Sequence, residues 1–254
     1  MNVSRLRPLY PTLLLPLLLV AGCGLFASST APVSRSPEAM AREAEEFQNS
    51  RRFEDAIAQW RKVKESYISP ELITLAEIKI ADAQFDSGNY IEAAASYEEF
   101  RKLHPNHEKS AYALYRQGLS YFNQIHGFDT DQTPVSNTVT IFESFLRLYP
   151  QSEYAEEVRN KLEAARQNQV QYEIYVGQFY YRTEKYTSAI KRLEDALKRY
   201  PRSPLHDETL YYLGKAYIKA GDKAGGREAF QRLFSEFRTS KYVDEARSFL
   251  DKNF

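Results

Sequence analysis

Apolar residues recur at three- and four-residue steps from Pro37 onward, and no stretch alternates apolar and polar residues as a half-buried strand does. One example is the set Ala189, Leu193 and Ala196, which falls on a single face of a helix. The pattern therefore predicts an all-α fold.

The helical pattern also repeats itself. In what we call the repeat frame, an aromatic residue is followed by Ala three positions later and by a large apolar residue four positions after that. It occurs in Phe53–Trp60, Tyr90–Tyr97 and Tyr186–Leu193. Proline follows predicted second helices, where its missing donor ends a helix, in His104-Pro105, Tyr149-Pro150 and Tyr200-Pro201.

This order resembles the tetratricopeptide repeat, a helical hairpin of roughly 34 residues. Gly118, Gly177 and Gly214 lie upstream of the frame, where a small residue lets two helices approach closely. We expect a superhelix of about five helical hairpins, capped by an amphipathic helix at Tyr242–Leu250. The small packing residues of the five copies are Ala56, Ala93, Thr138, Ala189 and Gly226.

Two intervals between copies exceed the repeat length. Residues 123–137 are polar and contain Pro and Asp, which predicts a loop insertion inside the third hairpin. Residues 152–182 contain no Pro, which is compatible with one helix of about 45 Å. The predicted repeat domain, residues 38–254, thus comprises N-terminal repeats at about 38–122, the insertion at 123–137 and C-terminal repeats at about 138–254.

The first 22 residues have the order of an export signal. Arg5 and Arg7 precede an apolar stretch, Leu13–Val20, and the small residues Ala21 and Gly22 follow. The apolar stretch is much shorter than the roughly 20 residues that span a bilayer. We therefore expect a cleaved signal and no transmembrane anchor.

Residues 19–23, Leu-Val-Ala-Gly-Cys, resemble the bacterial lipobox, in which cleavage occurs before a lipidated cysteine. Cys23 is the single cysteine of the chain, so the resemblance implies a lipid anchor and leaves no second thiol for a disulfide. The alternative is a secreted protein with a chance cysteine. Residues 23–37 are rich in small residues and Pro, which predicts a flexible tether. Gly24, where Asp would favour the inner membrane, implies the outer membrane by the same resemblance.

Composition and motifs give no support for an enzyme. Loss of the signal leaves two more acidic than basic residues, which argues against nucleic-acid binding. His104 and His107 could suggest a metal site, but Pro105 breaks the helix and no close third ligand is apparent, so we expect them to shape a turn. Phosphate loops and nucleophile elbows are missing. We predict no catalytic residue, metal site or cofactor.

Aromatic residues are abundant, with 19 Tyr and 15 Phe. The repeat frame places many of them in the core, but the first helix of each hairpin is expected to line a concave surface. That surface would suit an extended peptide. The alternative is that these side chains pack between hairpins. The predicted groove residues are Leu75, Ile78, Phe85, Tyr112, Tyr115, Leu119 and Phe122.

Several motifs, in order, resemble the BamD family of outer-membrane lipoproteins. The resemblance runs from about Phe100 to Tyr217, with a weaker frame from Ala41 to Tyr97, and Ile68-Ser69-Pro70 departs from the usual Tyr-Pro. The motifs are Phe100–His107, Tyr112–Leu119, the acidic insertion Asp129–Thr133, Tyr149–Ala155, Tyr172–Tyr180 and Tyr186–Arg192.

The resemblance implies a non-enzymatic lipoprotein scaffold on the periplasmic side of the outer membrane, which helps to recognise and insert β-barrel proteins. Its C-terminal repeats would bind the periplasmic domains of the barrel-forming subunit, alongside other assembly lipoproteins, and its N-terminal repeats would receive unfolded barrel proteins. Arg192 occupies the place of a family arginine that pairs with an acidic residue of the barrel-forming subunit. The alternative for Arg192 is a solvated helix arginine.

Two other functions stay open. Another outer-membrane repeat lipoprotein, scaffolding peptidoglycan or envelope machinery, would keep the repeats but lack the insertion at Asp129–Thr133. A carbohydrate-binding lipoprotein is disfavoured, because the single tryptophan, Trp60, lies at a core position of the repeat frame.

Overall fold

The computed structural model describes residues 36–66 and 69–253; the predicted signal, Cys23 and nearly all of the tether lie outside them. The described residues form eleven helices and no strand, which confirms the all-α prediction. The helices are α1 (Pro37–Asn49), α2 (Phe53–Glu65), α3 (Pro70–Asp86), α4 (Tyr90–Leu103), α5 (Ser110–Phe122), α6 (Thr133–Leu148), α7 (Ala155–Arg182), α8 (Tyr186–Arg199), α9 (His206–Lys219), α10 (Lys223–Glu236) and α11 (Tyr242–Asn253). Within the described ranges, no helix is both long and apolar enough to cross a membrane.

Successive helices pack as hairpins: α1 with α2, α3 with α4, α5 with α6, α7 with α8, and α9 with α10. Each second helix also packs against the first helix of the next hairpin, and α11 covers α9 and α10 at the end. This is the tetratricopeptide-repeat stack of five hairpins and a capping helix that the sequence predicted. The first helix begins at Pro37, where the hydroxyl of Ser36 accepts a hydrogen bond from the backbone N–H of Ala39.

The predicted close approach of paired helices is confirmed at three hairpins. A Cβ on Gly118 would lie 2.3 Å from Cε1 of Phe142, and a Cβ on Gly214 would lie 2.7 Å from Cε1 of Phe230. Gly177 faces Leu193 in the same way, at 2.8 Å. Each glycine thus opposes a large apolar residue of the second helix, four positions after the small packing residue. Such distances are too short for a real Cβ atom. The large side chain of the second helix therefore occupies the space that a Cβ would need.

The long interval between the third and fourth copies is explained by α7. Its 28 residues span about 42 Å, which confirms a single helix, although it begins at Ala155 and not at residue 152. Its first half packs against α6 and its second half against α8, so it serves two hairpins in succession.

The insertion loop is shorter than predicted, because it spans residues 123–132 and α6 begins at Thr133. The Asp131 carboxylate accepts hydrogen bonds from the backbone N–H and the hydroxyl of Thr133, at 2.9 and 2.8 Å, and lies at the start of the helix. Residues 133–137 looked like loop because they are largely polar. Yet Val135 is fully buried, so these residues form the first turn of an amphipathic helix.

The contact between Gly118 and Phe142 yields a stability prediction. In Gly118→Ala, the clash with Phe142 should lower the free energy of unfolding by about 1–3 kcal/mol. The higher helix propensity of Ala offsets about 1 kcal/mol of this loss. Urea unfolding followed by circular dichroism measures this change. As a control, Ser136→Ala on the exposed face of α6 should stay within about 0.5 kcal/mol of wild type.

A double-mutant cycle tests the cause. Phe142→Leu removes the ring atoms that a Cβ on Gly118 would meet, so Gly118→Ala should be less damaging in that background. Strict additivity of the two changes would show that the glycine is not required by this contact.

Candidate partner-binding surfaces

The predicted peptide groove is largely closed. Ile78, Tyr115 and Leu119 are 1%, 9% and 7% exposed, so their assignment to an open surface is wrong. They pack in the core, because the second helix of the same hairpin and the first helix of the next hairpin cover them. The other four predicted residues are partly buried and pack against the same cores, namely Leu75, Phe85, Tyr112 and Phe122.

Much of what faces outward near these residues is a polar network centred on Asp82. Oδ1 of Asp82 accepts hydrogen bonds from the hydroxyls of Tyr97 and Tyr112, at 2.6 and 2.8 Å. Burial, and secondly the charge of Asp82, raises the pKa of both tyrosines, so both remain neutral donors. The network ties α3, α4 and α5 together.

Arg116 extends this network over the aromatic surface. Its Nε donates to the hydroxyl of Tyr97 at 3.0 Å and its Nη2 to Asp86 at 2.9 Å. The guanidinium carbon lies 3.8 Å from the centroid of the Phe85 ring, in a cation–π contact. One face of the ring that was predicted to line a peptide groove is therefore covered by an intramolecular cation, and the ring also lines a cleft of about 750 Å³ together with Lys79 and Tyr90.

The start of α7 covers the part of the predicted groove formed by Tyr115 and Phe122. Tyr154 stacks on Tyr115 with ring centroids 4.4 Å apart, and the Tyr115 hydroxyl donates to Glu157 at 2.6 Å. Lys161 Nζ lies 4.5 Å from the Phe122 ring centroid. The next hairpin thus covers Tyr115 and Phe122.

Leu75 lines a cleft of about 340 Å³, and the nearly fully buried Ile78 forms part of its wall. We call it the Leu75 cleft. Its apolar part is formed with Pro70, while His107 and Lys109 of the turn between α4 and α5 add polar groups.

The two histidines of that turn shape it, as predicted. His104 ends α4, and its Nε2 lies 2.6 Å from Oε2 of Glu77. His107 Nδ1 accepts from the backbone N–H of Lys109 at 3.1 Å. No group of three His, Cys, Asp or Glu side chains is placed to hold a metal ion in the described part of the chain.

Arg192 is held by a buried carboxylate that the sequence analysis missed. Its Nη1 donates to Oε2 of Glu173 at 3.0 Å, and Nη2 of Arg199 donates to Oε1 at 3.2 Å. The Glu173 side chain is 7% exposed, whereas those of Arg192 and Arg199 are 39% and 51% exposed. Arg192 is therefore not a free surface cation. The detectable signal was a Glu at a buried helical position, three residues after Val170 and four before Gly177.

A second surface also escaped the sequence analysis. The Phe128 ring of the insertion loop packs edge-on against Tyr175 of α7, with centroids 5.8 Å apart. These rings and Phe179, one turn further along α7, are 38–49% exposed. The loop is thus fixed to α7 by aromatic contact.

The sequence matches the family described as outer membrane lipoprotein, YfiO, over residues 34–233. It is 27% identical over 224 residues to the outer membrane protein assembly factor BamD of Vibrio cholerae. That alignment covers 84% of this chain and 92% of the relative. The BamD of Xylella fastidiosa is 25% identical over 235 residues, or 89% of this chain and 80% of the relative. Among solved structures, the complex of the TPR2AB domain of yeast Sti1 with pHSP90 has a TM-score of 0.42 and 14% identity, over 85% of this chain and 84% of that chain.

The matched region begins just ahead of α1 and ends within α10, so it reaches all five hairpins. It covers well over half of the chain. The protein therefore belongs to the YfiO family of outer membrane lipoproteins.

Proposed function

We propose that this protein is a non-enzymatic, lipid-anchored scaffold of the β-barrel assembly machinery, located on the periplasmic side of the outer membrane. It would help to recognise β-barrel proteins and insert them into that membrane. The observation that carries the proposal is the extent of the likeness to relatives named outer membrane protein assembly factor, which covers more than 80% of this chain. Stacked hairpins provide the extended surface that a scaffold needs.

The C-terminal repeats are proposed to bind the periplasmic domains of the barrel-forming subunit. Arg192 supports this role, because its guanidinium uses one nitrogen on Glu173 and has further N–H donors for a second carboxylate. An acidic residue of the partner would complete a bridge of charge-assisted hydrogen bonds.

The N-terminal repeats are proposed to receive unfolded barrel proteins. We assign this contact to the Leu75 cleft, which Leu75 and Pro70 make partly apolar, since α7 covers Tyr115 and Phe122. Other assembly lipoproteins would bind elsewhere on the stack.

Depletion tests the proposed function directly. Loss of the protein should lower the outer-membrane levels of β-barrel proteins several-fold, because their insertion would lack this factor. Quantitative proteomics of the outer-membrane fraction measures the change, with outer-membrane lipoproteins as the internal control. Normal levels of barrel proteins after depletion would refute the assembly role.

The lipid anchor is tested separately, at Cys23. Mass spectrometry of the N-terminal peptide of the mature protein should detect acyl chains on Cys23. Cys23→Ser should remove them while the circular dichroism spectrum stays helical, because Cys23 precedes the described helical domain. An unmodified Cys23 thiol in the wild-type protein would rule out the anchor.

The role of Arg192 predicts a binding defect. Arg192→Ala should weaken binding to the purified periplasmic domains of the barrel-forming subunit about tenfold, as expected for one lost charge-assisted hydrogen-bonding partner. Titration calorimetry measures the affinity. Arg232→Ala removes a comparably exposed arginine of α10 that is paired with Glu236, and it serves as control. Equal affinity of the Arg192 variant and wild type would remove Arg192 from the interface.

A further inference from the structure

A cleft of about 450 Å³ opens between α6, α7 and the turn that follows α8, and we call it the α7 cleft. Glu163, Arg166 and Val170 line it from α7, at steps of three and four residues, so they lie along one side of that helix. Val139 and Glu143 line it from α6. On the far side stand the last residue of α8, Arg199, and the turn residues Tyr200, Pro201, Arg202 and Ser203.

Cations slightly outnumber carboxylates around the cleft. Arg166 pairs with Glu143 at 2.8 Å, and both side chains are more than 40% exposed. Surface pairs of this kind contribute little, so Arg166 can exchange its partner at small cost. Arg202 is exposed in the turn, and Glu163 is the remaining carboxylate of the lining. When Glu173 and its partner Arg192 are included, four arginines face three glutamates.

Glu173 holds two of these arginines in fixed positions. Arg192 and Arg199 are seven residues apart and so lie on the same face of α8, with the buried Glu173 carboxylate between them. Each guanidinium uses one nitrogen in this contact, which leaves donors for another carboxylate. Because Glu173 already restricts two long side chains, an incoming acidic group loses less conformational entropy on binding. Glu173 is therefore a positioning residue for the pair.

The remaining lining of the cleft is apolar. Val139, Val170 and Pro201 stand beside Tyr200, whose pKa is raised by burial, so its phenol stays neutral. The chemistry of the cleft thus suits a segment that carries carboxylates next to apolar side chains.

The neighbouring cleft between α8, α9 and α10 has the opposite charge balance. Glu194, Asp195 and Glu228 line it against Lys198 and Arg232. Its volume, about 580 Å³, is no smaller than that of the α7 cleft, so size does not separate the two. Charge does, and it favours the α7 cleft for an acidic partner.

We propose that Arg199, held beside Arg192 by Glu173, binds an acidic segment of the periplasmic domains of the barrel-forming subunit, and that the α7 cleft receives the apolar side chains of that segment. The proposal rests on the proposed function, and it adds Glu173, Arg199 and the α7 cleft to the contact proposed for Arg192. It also fixes the chemistry of the partner segment as acidic and partly apolar.

Binding measurements with the full mature protein in detergent test this proposal, using the purified periplasmic domains of the barrel-forming subunit as the probe. Arg199→Ala should weaken the affinity about tenfold, as expected for one lost charge-assisted partner. Arg232→Ala, from the neighbouring cleft, is the matched control and should bind like wild type.

Glu173→Gln separates positioning from bulk charge. Removing a negative charge beside two arginines would strengthen the binding of an acidic partner if net charge alone mattered. Positioning predicts the opposite, a loss of several-fold, because a neutral amide holds the two guanidinium groups less firmly. Thermal unfolding of each variant identifies any that fails to fold, and in that case the exposed Arg199 variant still decides the outcome.

The outcomes are distinct. If wild type binds and Arg199→Ala and Glu173→Gln bind equally well, the α7 cleft is not the docking site, although the proposed function stands. Tighter binding of Glu173→Gln would also overturn the positioning role. If wild type does not bind the periplasmic domains at all, the proposed function itself fails in this partner, and the inference fails with it.

Discussion

This stack depends on one kind of contact, in which a glycine on one helix lies against a large apolar residue on the partner helix. Gly118 with Phe142, Gly177 with Leu193 and Gly214 with Phe230 each bring two helices to a distance that any Cβ would prevent. The approach distance and the rotation of both helices are then fixed together. The third, fourth and fifth hairpins share this contact, so that part of the stack repeats one local arrangement.

The stack departs from regular repetition at α7. The α7 cleft, Glu173 and the aromatic contact of the insertion loop all lie along this helix. Because α7 serves α6 with its first half and α8 with its second, a cleft remains between those two helices on one side. Glu173 lies just beyond that cleft, between two arginines of α8. The insertion loop reaches the same helix through Phe128 and Tyr175. One long helix thus joins the two halves of the stack and, together with α8, carries the surface proposed to bind the barrel-forming subunit.

The closed state of the predicted aromatic groove follows from the same packing. Aromatic side chains on first helices are large enough to reach the preceding and following hairpins, and burial there stabilises them more than exposure would. The polar groups that remain at the edge are satisfied within the chain, through Asp82, Tyr97, Tyr112 and Arg116. Such a network holds three helices together, and it leaves the aromatic rings little contact with solvent.

The sequence by itself determined the number of hairpins and the positions of their close contacts, since these depend on Gly, Ala and Pro acting over a few residues. The absence of Pro from residues 152–182 allowed one long helix there, and the structure showed that α7 is one. The motifs from about Phe100 to Tyr217 were sufficient to indicate the family of outer membrane lipoproteins to which the chain belongs. Tertiary structure alone decided that Ile78, Tyr115 and Leu119 are interior, because periodicity shows that a face is apolar without showing how much of it a neighbouring helix covers. It also decided that Glu173 binds both Arg192 and Arg199. Glu173 is 19 residues from Arg192 and 26 from Arg199 in the sequence, and the rotation of α7 against α8 sets which side chains meet.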